Sequence, residues 1–169
     1  MKKALYAGSF DPFTNGHKQI AYDAAEIFDE VTILVAINSQ KLRRLNLDQT
    51  IKAIKETFKN TPNILVDYYS GFVVDYCNQK GIDYLIRGLR NTNDFMYEEN
   101  IAKINAEINP QVKTVYLRTS NEIISSSMVW ELHKNGKDVS SYLPKSVFLA
   151  MNAYKKEQLW MGDFWINNL

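Results

Sequence analysis

Cysteine is almost absent: Cys77 stands alone, so no disulfide can form within the chain, and no metal-ligand cluster surrounds it. That excludes a disulfide-stapled scaffold and a thiolate metal site, fits a reducing compartment, and makes Cys77 a small residue packed on a helix. Histidine is scarce, with only His17 and His133. An excess of one charge is also missing. The 20 Lys and Arg against 19 Asp and Glu leave a net charge of +1, which gives no bulk reason to expect nucleic acid or an anionic membrane as partner. Any anion site must therefore be local. No run of 18 apolar residues occurs, and strand character begins at once without an apolar signal core, as expected of a soluble, cytoplasmic protein. Repeats, low-complexity tracts and linkers are lacking too. What is abundant is core material: 46% hydrophobic residues in a chain of 169 suit one domain and leave no room for a second. The reading assigns 1–157 to that domain and 158–169 to an apolar tail, in which Leu159, Trp160, Met161, Phe164 and Trp165 could pack on the core or on a neighbouring subunit.

Short runs of branched and aromatic residues alternate with segments of helical period. Strands are expected near Lys3 to Ala7, Val31 to Ile37, Ile64 to Tyr68, Tyr84 to Ile86 and Thr114 to Leu117, each followed by a helix. This order predicts an α/β fold, a Rossmann-like doubly wound sheet of five parallel strands with helices on both faces. Ile20, Ala24, Ile27 and Phe28 mark the buried face of the first helix, and Ile51, Ile54 and Phe58 that of the second, with Asp48 as its cap. Ile101, Ile104 and Ile108 give the fourth helix its stripe and Pro110 its end; Pro144 opens a last helix through Tyr154. Ligands of such sheets bind beyond the carboxyl ends of the strands, where Gly8 to His17, Asn38 to Lys41 and Arg87 to Arg90 should converge.

The junction of the first strand and first helix carries the most chemistry. Gly8 turns the backbone where a side chain would obstruct a ligand, and Gly16 leaves room beside His17. A helix beginning near Asn15 aims free amides and its positive dipole end at an anion, to which His17 can donate an imidazole hydrogen. Gly8, Ser9, Phe10, Asp11 and Pro12 followed by Thr14, Asn15, Gly16 and His17 resemble the signature of nucleotidyltransferases with a histidine, any residue, glycine, histidine motif, Thr14 replacing the first histidine. With Thr14 the run is similar to that of the phosphopantetheine adenylyltransferases. Three further blocks share the resemblance: Ile86 to Arg90 with Asp94, Phe95, Tyr97 and Glu98; Ile124 to Ser127; and Gly71 to Tyr76. The resemblance runs from about Lys3 to Tyr154.

The resemblance implies reversible transfer of the adenylyl group from ATP to 4′-phosphopantetheine, giving dephospho-coenzyme A and pyrophosphate in coenzyme A biosynthesis. Both reactants are anionic, so the reaction needs positioned cations and hydrogen donors rather than a covalent nucleophile. By resemblance, His17, Lys41 and Arg90 are catalytic around the α-phosphate and the attacking phosphate. Ser9, Phe10, Arg87, Gly88, Glu98, Ile123, Ser126 and Ser127 join His17 and Arg90 in binding the nucleotide, with Ser126 and Ser127 at a helix start for the β- and γ-phosphates. Ser9, Lys41, Phe72, Val73 and Arg87 are implied for phosphopantetheine. Magnesium would bridge phosphate oxygens largely through water, without protein ligands of its own. The family also implies a homohexamer.

Each residue has a plainer reading beside this one. Lys41 with Arg43 and Arg44 could be a solvated basic loop, Arg87 and Arg90 could pair with Asp83 or Asp94, and Glu98 could balance Lys103. Ser125 reads as a helix cap and His133 as a structural residue near a helix end. Two departures stand out. Trp130 replaces a lysine or arginine that commonly follows the family's serine block, implying one phosphate-binding cation fewer, and the stretch from Arg118 to Ile123 is shorter than the family loop near adenine. Three functions stay open: this adenylyl transfer, a nucleotidyltransferase acting on nicotinamide mononucleotide or glycerol 3-phosphate, and a nucleotide-binding module without turnover.

Overall fold

Residues 1–38, 42–119 and 125–153 are described by a computed structural model of the chain. Their branched and aromatic runs become five strands: β1 (Lys3–Gly8), β2 (Glu30–Ala36), β3 (Ile64–Tyr69), β4 (Tyr84–Leu89) and β5 (Lys113–Arg118). All four pairings are parallel, in the order β3-β2-β1-β4-β5. The helices between and after them are α1 (Asn15–Ile27), α2 (Leu47–Thr57), α3 (Val73–Lys80), α4 (Thr92–Ile108) and α5 (Ser126–Lys134). A 3-10 turn at Ser140–Tyr142 leads past Pro144 into a last helix, described over 145–153. The strand order reverses between β1 and β4, so a crevice opens beyond their carboxyl ends.

Because β1, β2 and β4 are covered on both sides, their side chains divide between two apolar layers. One collects Tyr6, Ile33 and Ile86 with Ile20 and Ala24 of α1, Ile54 of α2, Val129 of α5 and Met151 of the last helix. The other joins Leu5, Leu34 and Leu85 to Tyr76 and Cys77 of α3. Each fully buried Leu or Ile contributes about 1.5–3 kcal/mol relative to exposure, which is what fixes the register of the sheet. Cys77 is buried, and desolvation pushes its thiol up to about 11, as suits an inert packed residue. Among the described residues, no helix is long and apolar enough to cross a membrane.

Three helix expectations are corrected. Asn46, not Asp48, caps α2: its carboxamide oxygen accepts from the backbone of Asp48 at 2.8 Å, placing Asp48 in the first turn where its charge meets the helix dipole. Ile27 is 54% exposed in the last turn of α1, and the following Phe28 takes the buried place. The isoleucine stripe of α4 is uncovered: none of its 17 residues is buried, and Ile104 and Ile108 are 58% and 51% exposed. Polar contacts tie helix α4 to the sheet, among them Tyr116 Oη donating to Glu99 at 2.8 Å, beside an edge contact of the Phe95 ring with Tyr116.

Candidate active site

A cleft of about 430 Å³ lies at the reversal of strand order, bounded by Gly8, Ser9, Phe10, Thr14 and His17 after β1, by Arg87, Gly88 and Arg90 of β4 and its end, and by Ser125 to Ser127. A larger hollow of about 670 Å³ sits by the amino ends of the strands, around Lys3, Glu30 and Ile64. Three of its four lysines are engaged with their surroundings, Lys3 with Glu30 at 3.3 Å, Lys59 with Glu56 at 2.7 Å, and Lys80 over the Tyr76 ring. The smaller cleft is where the sheet topology and two helix starts coincide.

His17 owes its state to the cap of α1. The Thr14 hydroxyl accepts from the His17 backbone, while the Thr14 backbone N–H donates to His17 Nδ1 at 2.9 Å, forming a reciprocal capping box. An Nδ1 that accepts from an amide places the ring proton on Nε2, which assigns the tautomer from the hydrogen bond. Desolvation, and then the neighbouring charge of Arg90, push the imidazole down to about 4. His17 is therefore neutral near pH 7, with an Nε2–H as its remaining donor in the cleft.

The loop before α1 is held open by packing. Phe10 has φ 47, a left-handed conformation that costs a side-chain-bearing residue on the order of 1 kcal/mol or more. Its ring is wedged between Tyr6, Phe13 and His17, with centroids 5.3, 5.2 and 5.1 Å away, which offsets that cost. A Cβ on Gly8 would stand 2.9 Å from Phe10 Cε1, so glycine is required for this wedge. From the other side Arg43 Nη1 donates to the Ser9 carbonyl at 2.6 Å, and the Asp11 carboxylate accepts the backbone amides of Arg44 and Leu45 at 2.7 and 3.0 Å. The Asp11-Pro12 peptide is cis.

Both arginines of β4 and its end meet acids of α4. Arg90 holds Asp94 through Nε at 2.9 Å and Nη2 at 3.2 Å, and this bidentate pair keeps the Asp94 carboxyl below the usual carboxylate range. Arg87 Nε lies 3.2 Å from Glu98 Oε2, an ion pair without hydrogen-bond alignment, so that buried oxygen still has acceptor capacity toward a ligand. Across the cleft, Ser125 caps α5 by accepting from Met128 at 3.2 Å, as expected of a cap. Ser126 donates its hydroxyl to the Pro12 carbonyl at 2.9 Å, and Trp130, one turn on, donates its indole N–H to the Asp11 carbonyl at 3.0 Å. These two bonds dock the amino end of α5 onto the β1–α1 loop.

Two helix starts, a neutral imidazole donor and paired arginines facing one crevice are the arrangement of a site for phosphates. The family model described as cytidylyltransferase-like matches residues 5–141. A phosphopantetheine adenylyltransferase of Flavobacterium psychrophilum is 40% identical over 149 residues, 87% of this chain and 98% of the relative. Those of Cytophaga hutchinsonii and Alkaliphilus metalliredigens are 39% and 40% identical over 148 and 154 residues, covering 99% and 98% of the relatives and 86% and 90% of this chain. The chain belongs to the phosphopantetheine adenylyltransferase family.

Of the residues that this family resemblance singles out, Ser9, Phe10, His17, Arg87, Gly88, Arg90, Glu98, Ser126 and Ser127 all line the cleft. Phe10 does so as a buried wedge rather than an open surface, being 2% exposed. Phe72 and Val73, expected to meet phosphopantetheine, do not line it: Phe72 is the residue before α3 and is 71% exposed, at the edge of the sheet beyond β3. Lys41 and Ile123 lie outside the described residues, as do Gln158 to Leu169. Sequence reading of this adenylyltransferase missed Tyr6, Asp94 and Thr119 as cleft residues. Asp94 was visible in the motif, but its grip on Arg90 is a matter of side-chain geometry; Tyr6 read only as strand. The structural reading of His133 agrees with its burial beside Trp130, ring centroids 6.0 Å apart.

Proposed function

We propose that the cleft transfers the adenylyl group of ATP to the 4′-phosphate of 4′-phosphopantetheine, reversibly, as a step of coenzyme A biosynthesis. An oxygen of the acceptor phosphate attacks the α-phosphorus in line; that P–O bond forms, the bond to the bridging oxygen of the β-phosphate breaks, and pyrophosphate leaves. The observation that carries this reading is the His17 ring, whose Nδ1 is occupied by the Thr14 backbone so that Nε2–H is the donor. A neutral donor suits an oxygen whose negative charge spreads during transfer, because it needs no change of protonation to act. Arg90, held by Asp94, adds charge at the same phosphate, and Lys41 is assigned there with it. Arg87 steadies the substrate anions and Glu98 Oε2 accepts a hydrogen from the nucleotide. The free amides at the start of α5 and the exposed Ser127 hydroxyl take the β- and γ-phosphates, whereas the Ser126 hydroxyl is committed to Pro12.

Magnesium enters as part of its complex with ATP. The cleft carboxylates Asp94 and Glu98 are engaged with arginines, and the described residues hold no group of three potential metal ligands, so the donor set fits an ion carried by phosphate oxygens and water. The ion would offset charge on the leaving pyrophosphate. A homohexamer is part of the same reading, supported by the uncovered apolar face of α4, and a reducing cytoplasm by the lone buried Cys77.

Incubation with magnesium, ATP and 4′-phosphopantetheine, beside nicotinamide mononucleotide and glycerol 3-phosphate with CTP, tests the proposal by mass spectrometry and pyrophosphate release. Dephospho-coenzyme A in the first mixture alone is the expected result. Product from another acceptor, or ATP binding without product, would overturn it.

A further inference from the structure

The described cations that line the cleft are engaged with acids: Arg87 with Glu98 and Arg90 with Asp94, while His17 is neutral. With ATP and a phosphorylated acceptor both anionic, further positive charge beside the phosphates would stabilise the bound state. Arg43 is spent on the loop, its guanidinium donating to the Ser9 and Leu45 carbonyls and to the Thr50 hydroxyl. Its neighbour Arg44 differs. Among the described residues no carboxylate is within ion-pair distance of its side chain, and the Asp11 carboxylate takes its backbone amide instead.

The Arg44 guanidinium is placed by an aromatic platform, with Cζ 5.9 Å from the centroid of Trp130. Trp130 is itself fixed, 8% exposed and hydrogen-bonded to the Asp11 carbonyl. It stands four residues after Ser126, so both share one face of α5 and clasp consecutive carbonyls of the same loop, those of Asp11 and Pro12. About 6 Å of helix rise separates Trp130 from the helix start that lines the cleft, so Arg44 and Trp130 stand behind that start rather than among the lining residues. A guanidinium held over a ring by a cation–π contact leaves its N–H donors available to phosphate oxygens, which a buried paired one does not.

We propose that Arg44, held on the face of Trp130, binds the pyrophosphate portion of the nucleotide at the amino end of α5, and that Trp130 is its positioning residue. The inference rests on the phosphate assignment made above for α5 and deepens it. Its test is calorimetric titration with pyrophosphate of the wild-type protein and of Arg44→Ala, Trp130→Ala, the double variant and Trp130→Phe, with kinetics in parallel. Loss of one charge-assisted contact weakens binding by about tenfold or more, so Arg44→Ala should bind pyrophosphate that much more weakly and raise KM for ATP similarly. KM for 4′-phosphopantetheine and kcat should stay within about threefold, since the group acts on ground-state binding. Trp130→Ala should show the same weakening, Trp130→Phe should retain binding, and the double variant should be no worse than either alanine variant, because platform and cation act as one unit. Unchanged pyrophosphate affinity in Arg44→Ala, or equal loss for both substrates, would overturn the inference. Binding is read without turnover, so an inactive wild-type protein would sink the function proposed above and leave the Arg44 result standing for or against on its own.

Discussion

At the residue scale the central object is the exchange of hydrogen bonds between Thr14 and His17. The Thr14 hydroxyl caps α1, but it is the Thr14 backbone that holds Nδ1, and a substitution separates the two. Thr14→Ala should cost about 1 kcal/mol of stability, lowering Tm by a few degrees, as lost caps do. Since the backbone N–H remains, kcat should fall by no more than about threefold; a much larger loss would show that the hydroxyl itself acts in transfer. Protonation gives a second test. With the folded pKa depressed to about 4 from an ordinary 6.5, the unfolded chain binds a proton that the folded one refuses. His17 therefore costs no stability above pH 6.5, and its contribution becomes progressively unfavourable as the pH falls from there toward 4. In the ligand-free protein the His17 ring signal in an NMR titration should stay flat from pH 8 to about 5; a midpoint near 6.5 would contradict the partly buried, neutral donor. The His17 motif was legible because a glycine-rich turn and a helix start leave a local pattern in the sequence. The grip of Arg43 on Ser9 and of Trp130 on Asp11 was not, since these contacts join residues 34 and 119 positions apart.

Among the elements, all five strands were readable, because the central three, covered on both faces, are short, branched and continuous and the edge strands keep branched and aromatic residues; no strand end moved by more than three residues. Helix α4 shows where periodicity stops informing. Ile101, Ile104 and Ile108 do share a face, but a stripe says that something apolar is needed and not that this chain supplies it. The same limit applies at the cap of α2, where Asn46 and Asp48 are both capable residues and only the backbone geometry chooses Asn46. If α4 is covered by neighbouring copies, Ile104→Glu combined with Ile108→Glu should leave the far-ultraviolet circular dichroism spectrum unchanged while sedimentation shows smaller species. An unaltered sedimentation coefficient would remove this helix from the contact.

For the whole molecule, the parallel order with its reversal between β1 and β4 decides where chemistry can occur: one crevice receives the ends of two strands and the starts of α1 and α5. The two apolar layers hold those ends rigid, and the acids of α4 hold the two arginines before any ligand arrives, so most of the site is built in advance of binding. The fold was legible from alternation alone and the family from four short motifs, while the position of Phe72 outside the cleft and the pairing of each arginine required the assembled sheet. The most direct measurement is turnover together with ATP affinity for His17→Ala. A donor acting chiefly in the transition state predicts a kcat lowered by about 10²–10⁴-fold with ATP bound within a few fold of wild type. Retained turnover, or ATP affinity lost in proportion to kcat, would contradict the role given to this imidazole.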